Sequence, residues 1–398
     1  MAKIKNVYDD IVSDENIYKA YLNARKNKRY RKDVLIFTQN LEANLVKIQN
    51  ELRSEVADYP KYREFYVYEP KCRLILAQDF PEVIKQWAFY QVLSPMFTRM
   101  YIKDSYACIK GKGQIAAVKR LHYWLKLVNS KRYNKLKNGL DVSDLNKWYY
   151  LKIDFSKYFY RVDHKVMIDV LKKKIKDDRV VRWLATRIES PDMPFGLPRG
   201  MRPEDVEMSE RLYDKGMPVG ALISQMLANV YNDQRDQYAK RTLGIKCYIR
   251  YQDDIVVLSD DKKQIKEWHQ KLEKFANNVM KMEMNQKTCI RPINQGIEFC
   301  GFRLWATHIK IRKSTSLRIK RNLKGVMKRY NEGDCTLEHA TQVVNSYFGL
   351  LKHCNSYALK TEIFGDYEKG IDGWFVLTRN HYHTISTLCG ALQVVHGS

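Results

Sequence analysis

The sequence has no CxxC pair, no apolar run of the ~18 residues a membrane-crossing helix needs, and no internal repeat or low-complexity tract. Its start, MAKIKNVYDDIVSDEN, has no apolar stretch behind its charges, so no signal peptide is expected. The eight cysteines, at 72, 108, 247, 289, 300, 335, 354 and 389, are scattered. They read as reduced thiols of a cytoplasmic protein, mostly small core residues, and not as a zinc site. Acids are scarce: 45 Asp and Glu face 70 Lys and Arg, a formal charge of +25. That excess points to a polyanion, usually nucleic acid, although charge alone also permits an anionic membrane surface. Disorder is excluded by 27 Tyr, 14 Phe and 7 Trp.

Apolar spacing predicts helices within 11–58, broken by a basic loop, Arg25-Lys26-Asn27-Lys28-Arg29. Residues 62–68 and 73–76 read as two strands around a turn at Glu69-Pro70-Lys71-Cys72. Helices are expected at 81–100 and 114–128, with the basic loop Lys110-Gly111-Lys112-Gly113 before the second. Residues 147–155 read as a buried strand ending in an acid, and 164–190 as helical. Pro or Gly at 191, 194, 196, 198, 200, 203, 216 and 218 mark 191–217 as a long surface loop or insertion. A helix is expected at 222–240, a hairpin at 247–259, an amphipathic helix at 262–282, and strands at 288–293, 297–304 and 308–312. Residues 310–330 are helical from 314 and hold nine Lys or Arg and no acid. Residues 361–398 are the least readable.

Three carboxylates stand out. Asp154 ends the apolar strand LKIDFSKYF, and Asp253 and Asp254 occupy the turn of IRYQDDIVVLS. Acids at the ends of buried strands need compensation for lost hydration. A hard divalent cation supplies it with carboxylate and phosphate oxygens as ligands, and two such ions can serve phosphoryl transfer. Asp253-Asp254 alone would read as a solvated turn, since Asp favours turns. The chemistry requires all three acids to meet at one point.

At these residues the sequence resembles reverse transcriptases. YQDD at 251–254 resembles their catalytic hairpin, LKIDFSKYFYRVDH at 151–164 their first metal-binding motif, and MPVGALISQMLANVY at 217–231 their template and nucleotide motif. GIEFCGFRLW at 296–305 resembles their primer-grip hairpin. The order and spacing match from about residue 17 to residue 358. Within the family, YREFYVYEPKCRLI at 62–75, DSYACIKGKGQIAAVKRL at 104–121, VGALISQ at 219–225, INQGIEFCGFRLWATHIKIRKS at 293–314 and SYFGLLKHCNSYALK at 346–360 resemble diversity-generating retroelements of bacteria and phages. Most reverse transcriptases have Gln before Gly220 and Ser-Pro in place of Ser224-Gln225. Ala221 departs from the group, which often has Asn or Ser there. Antiphage-defence reverse transcriptases share the core motifs.

The resemblance implies an α+β right-hand polymerase. It places N-terminal helices and fingers at 1–146, a palm with an antiparallel sheet at 147–305, a basic helical thumb at 306–360, and an extension of unknown role at 361–398. It implies RNA-directed DNA synthesis with two Mg²⁺ ions, Mn²⁺ being a substitute. Asp154, Asp253, Asp254 and the Phe155 carbonyl would be the ligands. Lys71 and Arg73 would bind the β- and γ-phosphates, and the amides of Ser156, Lys157, Tyr158 and Phe159 the triphosphate. Phe159 would be the steric gate against a ribose 2′-hydroxyl; without the motif it reads as a core aromatic. Val219, Gly220 and Gln225 would line the nascent base pair. Val219 brings shape but no hydrogen bond, a basis for error-prone copying. Lys287, otherwise an exposed lysine, would protonate pyrophosphate. Phe299, Cys300, Gly301 and Phe302 would form the primer grip. Lys310, Arg312, Lys313, Arg318, Lys320, Arg321 and Lys324 would hold the duplex backbone, with strong salt dependence. The partners implied are an RNA template, a primer or cDNA duplex, dNTPs, a structured noncoding RNA and a small accessory protein, with no membrane. Defence with a dedicated noncoding RNA is the second biological setting. A catalytically inactive RNA-binding scaffold is the reading from another class.

Overall fold

The computed structural model describes residues 3–56, 58–68, 73–138, 148–366, 369–379 and 382–383. Lys71 and most of 361–398 beyond Leu377 lie outside or at the margin of that set. No helix among the described residues is long and apolar enough to cross a membrane. The fold is α+β and divides into two compact units. One comprises Met1–Gly113 and Tyr149–Ile290, the other Gln114–Trp148 and Arg291–Ser398. Both units are discontinuous in sequence, an arrangement that a linear division of the chain does not contain.

In the first unit, β1 (Tyr62–Val67) and β2 (Arg73–Gln78) form an antiparallel hairpin with Tyr62 opposite Gln78 and Val67 opposite Arg73. β3 (Tyr149–Ile153), β4 (Tyr248–Tyr251), β5 (Asp254–Ser259) and β6 (Cys289–Pro292) form a sheet in the order β4-β5-β3-β6. β5 is central and buried from Ile255 to Leu258, which explains its unbroken apolar run. Helices Phe80–Met100, His164–Lys174, Leu222–Gln237 and Lys262–Asn278 share its core. Carboxylates cap several of their N-termini: Asp79 accepts from Glu82 N–H at 3.0 Å, Asp163 from Val166 N–H at 3.0 Å, and Asp261 from Lys263 N–H at 2.7 Å.

Helix Leu222–Gln237 begins at Ala221, which has no side-chain oxygen to cap it. Gln86 Oε1, from helix Phe80–Met100, accepts from Ile223 N–H at 3.3 Å instead. A tertiary contact thus supplies the acceptor missing from the local sequence.

The segment 191–217 differs from the surface loop expected. Phe195, Leu197, Val206, Arg211 and Met217 are buried. Gly196 and Leu212 exchange backbone hydrogen bonds of 2.9 and 3.1 Å, Gly216 N–H donates to Val162 O, and Met217 N–H to Phe159 O. Gly216 has φ +92°, and a Cβ there would lie 2.5 Å from the Phe195 carbonyl carbon. Its Pro and Gly residues build a segment whose backbone is docked at Leu197, Asp214, Gly216 and Met217 by hydrogen bonds to residues 159–164.

The second unit contains helix Gln114–Lys137, a meander of β7 (Ile297–Phe299), β8 (Phe302–Leu304) and β9 (Ile309–Ile311), and helices Lys313–Asn331, Leu337–Leu351 and Tyr357–Phe364. Ile319, Leu323, Val326, Ala340, Val344 and Leu351 form its core.

The first unit buries one ion pair completely. Arg250 Nε and Asp236 Oδ2 are 2.7 Å apart, both side chains wholly inaccessible, and Tyr248 OH donates to Asp236 Oδ1 at 2.7 Å. Removing one charge of such a pair leaves the other unpaired in a low-dielectric site. Asp236→Asn should therefore cost roughly 3–5 kcal/mol, read as a lower urea midpoint.

Candidate active site

The register of the sheet determines where the acids go. Ile153 pairs with Ile255, so Asp154 and Asp254, one residue beyond, leave β3 and β5 at the same end. Tyr251 pairs with Asp254, which leaves Gln252 and Asp253 as a two-residue turn. Gln252 has φ +54°, a conformation that needs external support in a non-glycine residue. That support is visible: the Gln252 carbonyl accepts from Arg250 Nη1 at 3.1 Å and Asn232 Nδ2 at 3.4 Å.

Burial pushes the Asp254 carboxyl up to about 6; Lys152 opposes the rise, while Asp253 and Asp154 add to it. Burial also raises Asp253, with the Asp154 charge adding and Arg235 and Arg73 opposing. The three acids are thus within electrostatic reach of one another, and Arg73, at the start of β2, is within reach of Asp253. They are not gathered around a common point. Among the described residues no three His, Cys, Asp or Glu side chains are arranged to hold a metal ion. Asp254 Oδ1 lies 3.3 Å from Lys152 Nζ and has no well-formed hydrogen bond although it is buried.

Phe155 supplies a further oxygen. It forms a bridge with Met284, flanked by hydrogen bonds from Ser156 N–H to Glu283 O and from Asn285 N–H to Asp154 O. In that pattern the N–H and C=O of Phe155 itself point away from Met284, to the side of β3 where β5 lies. Hard carboxylate oxygens, among them a buried Oδ1 without a well-formed hydrogen bond, and a carbonyl on one side form a donor set that suits Mg²⁺ in kind. Its arrangement retains the Lys152 ion pair in place of an ion.

The remaining expected residues take distinct places. The Ser156 amide is engaged with Glu283 O at 3.4 Å, and Lys157, at φ +48°, opens a single 3₁₀ turn over Tyr158–Tyr160. Tyr158 is buried, with its hydroxyl donating to Ala228 O at 2.9 Å. Phe159 is half-buried and its carbonyl accepts from Met217 N–H at 2.8 Å. Leu76 N–H donates to Val219 O at 3.0 Å, tying β2 to the start of this motif. Gly220 has φ +108°, and a Cβ there would meet Ile75 Cγ2 at 3.0 Å. Gln225 is exposed on the first turn of its helix. Lys287 is exposed, next to Thr288, whose hydroxyl lies 3.4 Å from both the amide nitrogen and the carbonyl oxygen of Asp154.

In the second unit, Phe299 and Phe302 are buried and pair across a turn formed by Cys300 and Gly301, both at positive φ. Gln114 Nε2 donates to Cys300 O, and Arg312 N–H to Gly301 O. On helix Lys313–Asn331, Lys313, Arg321 and Lys324 lie on the exposed face, opposite buried Ile319, Leu323 and Val326; Arg318 and Lys320 are half-buried, as is its N-cap Arg312. Lys310 lies exposed in β9. Lys320 pairs with Glu362, and Lys324 sits 5.4 Å over the Trp374 ring.

Sequence reading missed Lys152, Arg235 and Arg250. Lys152 shares a strand face with Asp154 by simple alternation, which was legible. The guanidinium of Arg235 is fully buried, 4.3 Å over the Phe155 ring, with Nε and Nη1 lacking acceptors. Nothing in the sequence marked it.

Residues 114–304 match the family described as reverse transcriptase (RNA-dependent DNA polymerase). The chain carries a reverse transcriptase domain. Its combination of helices and antiparallel sheet is that of a right-hand polymerase, as expected. Protein YkfC of Escherichia coli (strain K12) is 25% identical over 184 residues, 38% of this chain and 45% of that protein, so this chain spans less than half of that relative. Two solved structures are similar to it. Telomerase from Candida albicans, with a TWJ fragment of telomeric RNA, is 12% identical with TM-score 0.44, covering 74% of this chain and 55% of that one. Apo telomerase from Candida tropicalis is 13% identical with TM-score 0.40, covering 64% and 55%.

Asp254 of the reverse transcriptase domain ionises near pH 4 when unfolded but near 6 when folded, so its negative charge opposes folding above that range and not below it. Asp254→Asn should raise the melting temperature of the metal-free protein at about pH 7.5. The gain should shrink as the pH falls from about 7 to about 5.

Proposed function

We propose that this chain is an RNA-directed DNA polymerase that extends a primer 3′-hydroxyl with deoxynucleotides on an RNA template. The observation that carries the reading is the strand register that directs Asp154, Asp253 and Asp254 to the same end of a buried sheet, within a reverse transcriptase domain. Asp154, Asp253, Asp254 and the Phe155 carbonyl would hold Mg²⁺. When bound, the ions would offset the charge of the α-phosphate and increase the acidity of the primer hydroxyl.

The chain's own groups do the positioning. Arg73 offers bidentate contacts to the distal phosphates of a dNTP. Phe159, whose carbonyl is held by Met217 N–H, would place its ring where a 2′-hydroxyl would collide. Val219 and Gly220, where a Cβ would lie 3.0 Å from Ile75 Cγ2, would line the nascent base pair. Lys287, exposed and next to the Thr288 that contacts the Asp154 backbone, would be the proton donor for pyrophosphate. The exposed cations of helix Lys313–Asn331, with no acid among residues 310–330, suit a nucleic-acid backbone. Val219, which brings no hydrogen bond to the base pair, favours error-prone copying in a diversity-generating retroelement, assisted by a structured RNA and a small accessory protein.

Primer extension on an RNA template is the test. Wild type should make DNA, and Asp253→Ala should reduce the product to background. Equal yields from the two proteins would leave only a nucleic-acid-binding scaffold. Phe159→Ala should raise ribonucleotide incorporation relative to deoxynucleotide by about tenfold or more, the equivalent of ~1.4 kcal/mol of steric discrimination.

A further inference from the structure

Beside the catalytic turn lies a contact that no sequence motif accounts for. Cys108 Sγ–H donates to Gln225 Oε1 at 3.4 Å, and the Gln252 side chain hydrogen-bonds the same thiol. Three residues far apart in the chain therefore form one linked row: the turn residue before Asp253, a thiol, and the exposed glutamine that opens helix Leu222–Gln237.

The thiol is held firmly. Tyr106 N–H donates to Arg250 O at 3.1 Å and Arg250 N–H to Asp104 O at 3.0 Å, so Asp104–Tyr106 runs alongside β4. Arg250 Nη2 donates to Ser105 Oγ at 2.9 Å, and Asn229 Nδ2 to Ala107 O at 2.9 Å. Cys108, which follows this anchored segment, has φ +53°, a strained backbone for a non-glycine residue that the surrounding bonds maintain. The strand that ends in the catalytic turn and the helix that begins at Leu222 thus jointly locate the sulfur.

A primary amide has one acceptor and two donors, and its orientation follows its partners. We infer that Cys108 is a positioning residue that determines base-pair discrimination. By occupying Gln225 Oε1, it turns the Gln225 NH₂ group outward as a donor toward the nascent base pair. On the minor-groove side every Watson–Crick pair presents acceptors at purine N3 and pyrimidine O2. A fixed donor there accepts any matched pair and senses the displaced acceptors of a mismatch. The inference rests on the polymerase reading of the site.

Single-nucleotide extension with matched and mismatched dNTPs tests it. Cys108→Ala should lower the matched-to-mismatched ratio of kcat/KM about two- to tenfold, the worth of one neutral hydrogen bond, mainly through a higher KM for the matched dNTP. Cys108→Ser, which keeps a donor, should restore the ratio. Gln225→Met should lose it equally, and Cys108→Ala should add nothing in that background. A wild-type ratio in Cys108→Ala, or an undiminished further loss in the Gln225→Met background, overturns the inference alone. Should Cys108→Ala not fold, a wild-type ratio in Gln225→Met overturns it by itself. A wild type that extends no primer on RNA overturns the polymerase reading as well.

Discussion

Like charges brought to one end of a buried sheet repel each other, and much of the first unit can be understood as a response to that repulsion. The β3–β5 register forces Asp154 and Asp254 to adjacent strand ends, and the two-residue turn adds Asp253. Cations surround the group. Lys152 pairs with Asp254, Arg235 and Arg73 act on Asp253, and Arg250 supports the turn through the Gln252 carbonyl. These charges compensate only in part, since both acids of the turn remain harder to ionise than in water. Buried carboxylates that are so incompletely compensated are suited to bind hard cations.

Rigidity around this charge cluster comes from buried polar bonds. The Arg250–Asp236 pair joins β4 to helix Leu222–Gln237, and the same guanidinium reaches Asn229, Ser105 and Gln252. A network with so many satisfied members specifies one position for the turn. The positive φ values of Lys157, Gln252 and Cys300, all at motif turns, belong to the same pattern of local strain maintained by surrounding bonds.

Elements near the site also borrow support across long sequence distances. Gln86 caps a helix whose own cap position is Ala221, and the docked segment 191–217 holds the backbone of Phe159. Both reveal a limit of local reasoning. A missing cap oxygen and a Pro/Gly-rich stretch each look like weakness until a remote partner is seen.

Periodicity and motif order were enough to locate the strands, the Asp253-Asp254 hairpin and the three acids, because alternation and turn chemistry act within a few residues. The same local rules made the positive charge of helix Lys313–Asn331 legible, but not that Arg318 and Lys320 are half-buried. The sequence could not disclose that Asp254 would turn to Lys152, that Arg235 would lie under Phe155, or that Cys108 would meet Gln225. Nor could it disclose the division into two discontinuous units. Those outcomes depend on side-chain contacts between segments tens to hundreds of residues apart, which only packing and the balance of buried charge decide.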